Sequence, residues 1–373
     1  MKRTFSLGLP MCSFGIAAAL AATAVWTVMA SPNRGYLSNV LNGVAAVADD
    51  DAWAVGHWYD NRFASYRTLA ERWDGTRWLM APTPNVGNGY NELYGVAATS
   101  PVDGWAVGYS RETPYTGSRT LILHWDGAVW RVVPSLNPGP TENVLSSAVA
   151  LAADDAWAVG WYYDAQRIGR PLIAHWDGSR WSTVATPVPS TYYSLLAAVS
   201  AAGPGDVWAG GYAYVNGRYG TLLMHWEGKS WTVVPSPNVG TRANRIRSVS
   251  AVAFDDVWAV GDSQTRSLLQ HWDGATWSVV DHPTTGTYST LWGVSAAPGG
   301  DVWAAGYSRS SSVQPLILRG DGGSWALENA PAGAGINPWL SAVSRTLDGG
   351  PWAVGTASNG TSDRTLILKG PAR

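Results

Sequence analysis

Four histidines and six aspartates recur at fixed places in the sequence and are the first candidates for chemistry. The histidines open segments of the type "HWDG", at His124, His175, His225 and His271. The aspartates stand two residues before the tryptophan of segments of the type "WAVG", at Asp51, Asp103, Asp155, Asp206, Asp256 and Asp301. Histidine is a common zinc ligand, and carboxylates and imidazoles can act as general acids and bases. Either chemistry requires that side chains from different repeats converge.

The repeats that carry these residues predict the fold. "WAVG" or a close variant begins at Trp53, Trp105, Trp157, Trp208, Trp258, Trp303 and Trp352, at spacings of 45 to 52 residues. Each unit contains four short apolar segments separated by turn sequences such as "DD" and "DG". Four strands at this pitch are typical of a β-propeller blade. The sequence therefore predicts an all-β, seven-bladed β-propeller with four antiparallel strands per blade.

This architecture argues against a metal site. Each recurring histidine falls on the third strand of a different blade, and stacked sheets lie about 10 Å apart. Zinc ligands must come within about 2 Å of one ion. We therefore interpret the histidines as hydrogen-bonded framework groups and expect the aspartates to accept hydrogen bonds from turn amides. We predict no catalytic residue, no metal and no cofactor.

The tryptophans predict how the blades pack. Of 23 tryptophans, nineteen occupy three repeat positions: seven in "WAVG", five in "HWDG" and seven at the start of the fourth strand, counting Trp26. A blade cannot bury its own faces, and large aromatic side chains bury much area. We therefore assign these tryptophans to contacts between neighbouring blades.

The two ends of the chain are predicted to complete one blade. The seventh unit has no fourth strand after "TLILKG", which ends at Gly370. "WTVMASPN" from Trp26 matches "WTVVPSPN" from Trp231 in type and order. Without a partner, the apolar segment Leu366–Leu368 would form an open edge that invites aggregation. We predict that the Trp26 segment pairs with it and closes the ring.

The first 24 residues have the pattern of a secretory signal peptide. Two basic residues precede an uncharged run that lasts until Arg34. Cleavage after Ala24 or after Ala30 fits the small-residue rule, and retention as a membrane anchor is the alternative. Cleavage after Ala30 would destroy the closing strand, so we expect cleavage after Ala24 and a propeller at 25–373. The propeller is then secreted or displayed at the cell surface.

Composition limits the partners. Charged residues make up 14% of the chain and the formal net charge is −2. No excess of basic residues is present to neutralise nucleic-acid phosphates. The only cysteine, Cys12, lies in the leader, so the mature protein has no disulfide. We expect a monomer whose partner is a glycan or an envelope protein, with membrane contact only if the leader is retained.

The candidate binding site lies on the face with long, variable loops. Second-to-third and fourth-to-next-first loops share this face, and variable loops on a rigid scaffold commonly bind ligands. The predicted ligand-binding residues are Trp58, Tyr94, Tyr109, Trp161, Tyr212, Arg247, Trp292 and Tyr307. At the mouth of the channel, the residues two before the first-strand valine are predicted to form a ring of Asn42, Tyr94, Ser147, Ala197, Arg247, Trp292 and Ser341. This ring is heterogeneous, which indicates one asymmetric site.

Exposed Trp and Tyr beside Arg, Asn and Asp favour binding of sugars by stacking and hydrogen bonding, and also of proteins. We predict a non-catalytic extracellular binding module for glycan or cell-wall polymer. A protein-interaction scaffold at the cell envelope is the first alternative. A glycosidase or lyase is the second, with candidate carboxylates Asp60, Glu92, Glu112, Glu142, Asp164 and Asp262.

The repeats also carry resemblances to known families. The serial "DVWAVG…HWDG…W" units, as at Asp256–Gly261 and His271–Trp277, resemble those of secreted bacterial tryptophan-rich propellers of mostly unassigned function. More loosely, the chain is similar to the kelch and galactose-oxidase propeller superfamily, although it lacks the paired glycines of kelch repeats. It also resembles tryptophan-rich seven-bladed bacterial lectins, which implies sugar binding.

Overall fold

The computed structural model describes residues 25–331, 333–346 and 349–372; the predicted leader, residues 1–24, lies outside them. Within these residues the strands form seven four-stranded antiparallel sheets, which confirms the predicted seven-bladed propeller. No helix long and apolar enough to cross a membrane occurs in this part of the chain.

The first four blades follow one another in chain order, each running from the innermost strand to the outermost. Blade 1 contains β2 (Asn39–Ala48), β3 (Asp51–Asp60), β4 (Ser65–Trp73) and β5 (Trp78–Ala81). Blade 2 contains β6 (Asn91–Ser100), β7 (Asp103–Ser110), β8 (Arg119–Trp125) and β9 (Trp130–Val133). Blade 3 contains β10 (Asn143–Ala152), β11 (Asp155–Tyr163), β12 (Gly169–Trp176) and β13 (Trp181–Thr183). Blade 4 contains β14 (Ser194–Gly203), β15 (Asp206–Val215), β16 (Arg218–Trp226) and β17 (Trp231–Val234).

The remaining blades include the one that joins the chain ends. Blade 5 contains β18 (Asn244–Ala253), β19 (Asp256–Ser263), β20 (Arg266–Trp272) and β21 (Trp277–Val279). Blade 6 contains β22 (Tyr288–Ala296), β23 (Val302–Arg309), β24 (Val313–Gly320) and β25 (Trp325–Leu327). Blade 7 contains β26 (Ile336–Ser344), β27 (Trp352–Ser358) and β28 (Asp363–Lys369), with β1 (Thr27–Met29) as its fourth strand.

The recurring histidines are framework groups bound to the recurring aspartates. In blade 2, His124 Nε2 lies 2.7 Å from Asp103 Oδ1, and the imidazole packs on the Trp105 ring at a centroid distance of 4.3 Å. The same arrangement recurs as His175–Asp155, His225–Asp206 and His271–Asp256. Each histidine is thus held within its own blade. In the described residues, no three His, Cys, Asp or Glu side chains are grouped to hold a metal ion.

Arginine takes the place of this histidine in blade 1. Arg72 Nε donates to Asp51 Oδ1 at 2.7 Å, and its guanidinium lies 5.3 Å from the Trp53 ring. The recurring aspartates thus bind a side chain of the third strand, whereas the sequence predicted that they accept hydrogen bonds from turn amides. That role belongs to the aspartate of "WDG": Asp126 accepts from the N–H groups of Ala128 and Val129 at 3.0 and 2.9 Å. The hydrogen bond from Val129 contributes most to lowering the pKa of Asp126 to about 2, and those from Arg131 and Ala128 add to it.

Tryptophan pairs join every blade to the next. In blade 2, Trp130 meets Trp53 of blade 1 edge to face, at 5.0 Å and an interplanar angle of 80°. Equivalent pairs close the other six interfaces: Trp181–Trp105, Trp231–Trp157, Trp277–Trp208, Trp325–Trp258, Trp26–Trp303 and Trp78–Trp352. Five interfaces gain a second contact from the "WDG" tryptophan, as Trp125 does on Trp53 at 4.9 Å. Blades 6 and 7 have Gly320 and Gly370 at that position.

The predicted ring closure is present. Strand β1 pairs antiparallel with β28, placing Val28 opposite Leu368. The Trp26 side chain is 2% exposed and packs on Trp303. Beyond β1, Asn33 Oδ1 accepts the N–H of Thr365 at 3.0 Å, as Asn85 does for Thr68 in blade 1. The N-terminal segment therefore reproduces both the strand and the following loop of a complete blade.

A buried carboxyl lies where the N-terminal segment meets blade 1. Ser31 Oγ donates to Glu71 Oε2 at 2.9 Å and lies 2.7 Å from Thr365 Oγ1. Burial raises the pKa of Glu71 to about 8, although the hydrogen bond from Ser31 acts in the opposite direction. Glu71 is therefore mostly protonated in the folded protein at neutral pH.

The closure predicts a large loss of stability on truncating Trp26. Trp26→Ala removes a buried indole from the contact between blades 6 and 7 and should lower the free energy of unfolding by about 3–5 kcal/mol. Val28→Ala, at a side chain 41% exposed on the same strand, should change it by less than about 0.5 kcal/mol. Urea unfolding measures both. Equal, small effects would contradict closure by this strand.

Glu71 predicts a pH-dependent stability. Its pKa is about 8 in the fold against 4.5 as the reference value, so folding retains a proton that the unfolded chain releases above pH 4.5. Its contribution is complete below pH 4.5 and is lost as the pH rises to 8, by roughly 3 kcal/mol at pH 7. Glu71→Gln should abolish this decline. Unfolding curves at pH 4, 6 and 8 compare the two proteins, and parallel pH dependences would refute the assignment.

Candidate functional site

The innermost strands of the seven blades surround one axial cavity. Its volume is about 770 Å³ and its wall contains residues from every blade. Most of the deeper wall is small and apolar or hydroxylic, as at Val199, Ser200 and Ser250. Aromatic and charged side chains lie at one end, among them Trp161, Trp292 and Arg247 of three different blades. This uneven distribution gives the cavity an asymmetric mouth.

A β-bulge in each innermost strand forms the ring at this mouth. The register slips at the same place in every blade, as between Leu291 and Gly293 of β22. Blades 1 to 5 have a second slip near the end of this strand, and blade 7 has one near its start. The residues at the slip that all blades share are Asn42, Tyr94, Ser146, Ala197, Arg247, Trp292 and Ser341, and all seven line the cavity. The ring predicted from the sequence is correct except in blade 3. There Ala148 replaces the valine used for counting, which shifted the prediction from Ser146 to Ser147.

The bulge explains the glycine of "WAVG". Gly306 faces Leu291 beside the bulge, and a Cβ there would overlap the carbonyl oxygen of Thr290. The same overlap occurs at Gly56, Gly108, Gly160, Gly211, Gly261 and Gly355. A bulge redirects a side chain by bringing two backbones close together, and only glycine permits that approach. The repeat therefore encodes seven positions aimed at the axis.

Six of the eight predicted ligand-binding residues line this cavity: Tyr94, Tyr109, Trp161, Tyr212, Arg247 and Trp292. The other two lie elsewhere. Trp58 packs under the guanidinium of Arg34 at 4.7 Å. Tyr307 lies between the rings of Tyr288 and Trp339, at 5.8 and 5.9 Å. Trp58 stands two residues after the repeat glycine and Trp161 one residue after it, so strand alternation already directs them to opposite faces. Tyr307 has the same position as Trp161, and only the structure shows that its ring packs elsewhere.

Three further aromatic or charged residues of the wall were not among the predicted ligand-binding residues: Trp339, Arg111 and Glu142. Trp339 is 43% exposed and stands one residue before buried Leu340. Its equivalents in blades 3 and 4, Val144 and Leu195, also line the cavity. Counting two positions back from the bulge residue in every blade would have found it. Arg111 and Glu142 belong to loops whose path only the structure shows.

One side of the mouth is built on Glu92. Its Oε1 accepts from Tyr109 at 2.6 Å and its Oε2 from Tyr94 at 3.1 Å, while His57 Nδ1 lies 3.6 Å from Oε2. Burial and then the Glu92 charge raise the pKa of both tyrosines. Burial lowers the pKa of His57, although Glu92 opposes this. The two phenols therefore remain neutral and are fixed in direction by one carboxylate.

Another side is built on Asp262. This aspartate is 1% exposed and binds two guanidinium groups: Arg247 through Nε at 3.0 Å and Arg245 through Nη1 at 3.3 Å. Arg247 also lies over the ring of Trp292 at 4.5 Å. Of these residues, Arg247 and Trp292 line the cavity. The buried aspartate thus fixes the orientation of a guanidinium at the wall.

Of the six carboxylates considered for an enzyme, three lie at the mouth: Glu92 and Asp262 stand behind its wall, and Glu142 stands on it. Among the described residues, Glu142 lines the cavity, where it accepts from Ser118 Oγ at 2.6 Å and pairs with Arg111 at 3.3 Å. Asp60 and Asp164 instead accept backbone N–H groups within their own turns. No second carboxylate of this set lies on the cavity wall in the part of the chain that the structure describes.

Asparagine side chains fix the loops around the mouth. Asn91 Oδ1 accepts the N–H of Val86 at 2.7 Å, and its Nδ2 donates to Gly89 O at 2.9 Å. Asn39, Asn143 and Asn244 bind the preceding loop in the same way. All four are fully buried. Because each loop is held at its base, the side chains that it supports keep their positions before any ligand arrives.

No family model and no curated protein matches the sequence. Several solved structures share the fold. A structure described as YCF48 bound to D1 peptide is 14% identical with a TM-score of 0.57, and the match covers 94% of this chain and 99% of that one. The WD40 repeats of RRP9 are 14% identical with a TM-score of 0.60, covering 94% and 98%. The GH74 xyloglucanase from Xanthomonas campestris is 14% identical with a TM-score of 0.56, covering 92% and 55%.

These likenesses establish the propeller fold alone. The fold and its tryptophan-rich strands are shown, whereas the resemblances to secreted tryptophan-rich repeats, kelch proteins and lectins stay predictions.

The bulge geometry predicts a contrast between two glycines. Gly306→Ala forces a methyl group against the backbone next to Trp292 and should destabilise the fold by about 1–3 kcal/mol or more. Gly205→Ala, where a Cβ would meet no atom within 4 Å, should cause no loss. Thermal unfolding of both variants measures the difference. An unchanged melting temperature for Gly306→Ala would contradict the close approach.

Proposed function

We propose that this protein is a non-catalytic extracellular binding module that holds a glycan chain at the mouth of the axial cavity. The observation that carries the proposal is the pair of indoles on the wall: Trp292 is 38% exposed and Trp339 is 43% exposed. Both belong to innermost strands, of blades 6 and 7, so a rigid scaffold presents them.

The chemistry of the mouth suits a sugar. Pyranose rings have apolar faces that stack on indole and phenol rings, and polar edges that need hydrogen-bond partners. Here the polar partners are Arg111, Glu142 and Arg247 on the same wall. The cavity of about 770 Å³ lies within the range of roughly 300–1,000 Å³ for small-molecule sites. The seven bulge residues are of six different types, which supports one site on the axis.

A protein-binding role is the alternative. One neighbour in fold is described as bound to a peptide, and another, the xyloglucanase, is named for a polysaccharide. Tyrosine, tryptophan and arginine also dominate protein interfaces. We favour the glycan because the exposed rings line a cavity on the axis, and a concave site of this size is typical for a small ligand. Binding measurements with both ligand classes separate the two.

The extracellular part of the proposal predicts one cleavage site. The exported protein should begin at Val25, because cleavage there keeps Trp26 and β1 in the closed ring. N-terminal sequencing of protein from culture medium or cell surface tests this. A mature chain beginning at Ser31 would contradict it, and a protein confined to the cytoplasm would contradict the extracellular role.

Glycan binding should depend on the two exposed indoles. A glycan array on the mature domain identifies the ligand, and titration calorimetry gives its affinity. Trp292→Ala and Trp339→Ala should each weaken binding about tenfold or more, since each removes a stacking surface. Trp58→Ala is the matched control: this tryptophan lies outside the cavity wall and should leave affinity unchanged.

Two results would count against the proposal. An array and a polysaccharide pull-down without any ligand would remove its basis, and capture of a specific envelope protein would then support the alternative. Equal losses in all three variants would show that the tryptophans act through stability and not through contact with the sugar.

A further inference from the structure

We infer that the ligand carries a carboxylate, and that Arg247 binds it; the glycan is then an acidic one, containing uronic acid. This inference rests on the proposed function, because it names the class of glycan for the same site. It is carried by the arrangement of Arg247, Asp262 and Trp292.

Arg247 has donors left for a ligand. It is the bulge residue of blade 5 and lines the cavity. Its Nε donates a hydrogen bond to Asp262 Oδ1 at 3.0 Å. Within the described part of the chain, neither of its Nη atoms has a hydrogen-bond partner, and neither is buried. The side chain is 20% exposed, so water hydrates its guanidinium only in part. A ligand oxygen that accepts from the Nη atoms would therefore be bound favourably.

The local charge favours an anion. Asp262 supplies one negative charge and is shared by two guanidinium groups, those of Arg245 and Arg247. Arginine stays charged at all physiological pH values. The group of three therefore keeps one positive charge in excess, and the member at the cavity wall is Arg247. A ligand carboxylate would neutralise that excess.

The guanidinium is held in the geometry that a carboxylate needs. Asp262 fixes its Nε edge, and Trp292 lies against its face at 4.5 Å. A planar guanidinium whose Nη atoms are free can bind both oxygens of one carboxylate, which is the strongest of its hydrogen-bonding modes. The exposed part of Trp292 lies beside it for the sugar ring that bears the acid.

The other arginine on the wall serves a different role. Arg111 Nη2 is paired with Glu142 Oε2 at 3.3 Å, and that carboxylate also accepts from Ser118. Its charge is already balanced within the protein. Recognition of the acid thus falls on Arg247, and the Arg111–Glu142 pair offers polar contacts to hydroxyl groups.

The test compares each acid with its own ester. Oligosaccharides of galacturonate, glucuronate and mannuronate are titrated into the mature domain at neutral pH and moderate salt, each beside its methyl ester. The bound acid should show an affinity at least tenfold above its ester. Arg247→Gln and Arg247→Lys should both remove this preference. The first removes the positive charge, and the second removes the pair of Nη donors that can bind both carboxylate oxygens.

A matched control has the same exposure and the same kind of ion pair. Arg170 is also 20% exposed and binds Asp164 through Nε at 2.8 Å, but it is not on the cavity wall. Arg170→Gln should keep the preference for the acid. Melting temperatures of all variants confirm folding. If Arg247→Gln fails to fold, Arg247→Lys, which retains a cation for Asp262, decides the question.

The outcomes separate this inference from the proposed function. Equal affinity for acid and ester, or binding of neutral glycans alone, would overturn the carboxylate assignment and leave glycan binding intact. An acid preference that survives Arg247→Gln would also overturn it. Failure of every glycan, with binding of a peptide through its free terminal carboxylate, would overturn both the glycan function and the uronic-acid assignment.

Discussion

The edge-to-face contact between two tryptophans at each blade interface is the interaction on which the structure depends. A single blade exposes both of its apolar faces, and it becomes stable only when its neighbours cover them. Each "WAVG" indole is covered from its own blade by a histidine, arginine or lysine, as Trp105 is by His124, and from the next blade by a fourth-strand indole, here Trp181. The seven contacts form a closed circuit. Strand β1 matters because it supplies Trp26, without which the circuit would be open.

The same repeat that builds the scaffold also builds the site. In each unit one glycine allows the bulge that aims one side chain at the axis. The scaffold residues must stay nearly constant in type, because every blade packs in the same way. The bulge residue is free of that requirement, so Tyr94, Arg247 and Trp292 can occupy equivalent places. A sevenfold frame thereby carries a site without sevenfold symmetry.

The fold could be derived from the sequence because its determinants are periodic. Spacing of "WAVG", the turn residues and the match between Trp26 and Trp231 were enough to predict seven blades and their closure. The site could be derived only in part. The bulge ring followed from counting, apart from Ser146, whereas the packing of Tyr307 away from the cavity wall shows only in the structure. Ion pairs such as Arg247–Asp262 join residues fifteen positions apart. They depend on the exact register between two strands, which cannot be read from the sequence.

The two glycines that replace "WDG" tryptophans, Gly320 and Gly370, leave blade 6 with a single indole contact on each side. The other five interfaces have two. Blade 6 thus makes the fewest indole contacts with its neighbours, although Asp301 of blade 6 also pairs with Arg345 next to blade 7. It carries Trp292, between Arg247 on one neighbour and Trp339 on the other. A polymer bound to all three residues would connect blade 6 to both of its neighbours, across the two interfaces that have a single indole contact. Binding of such a ligand would then stabilise the folded ring, by mass action.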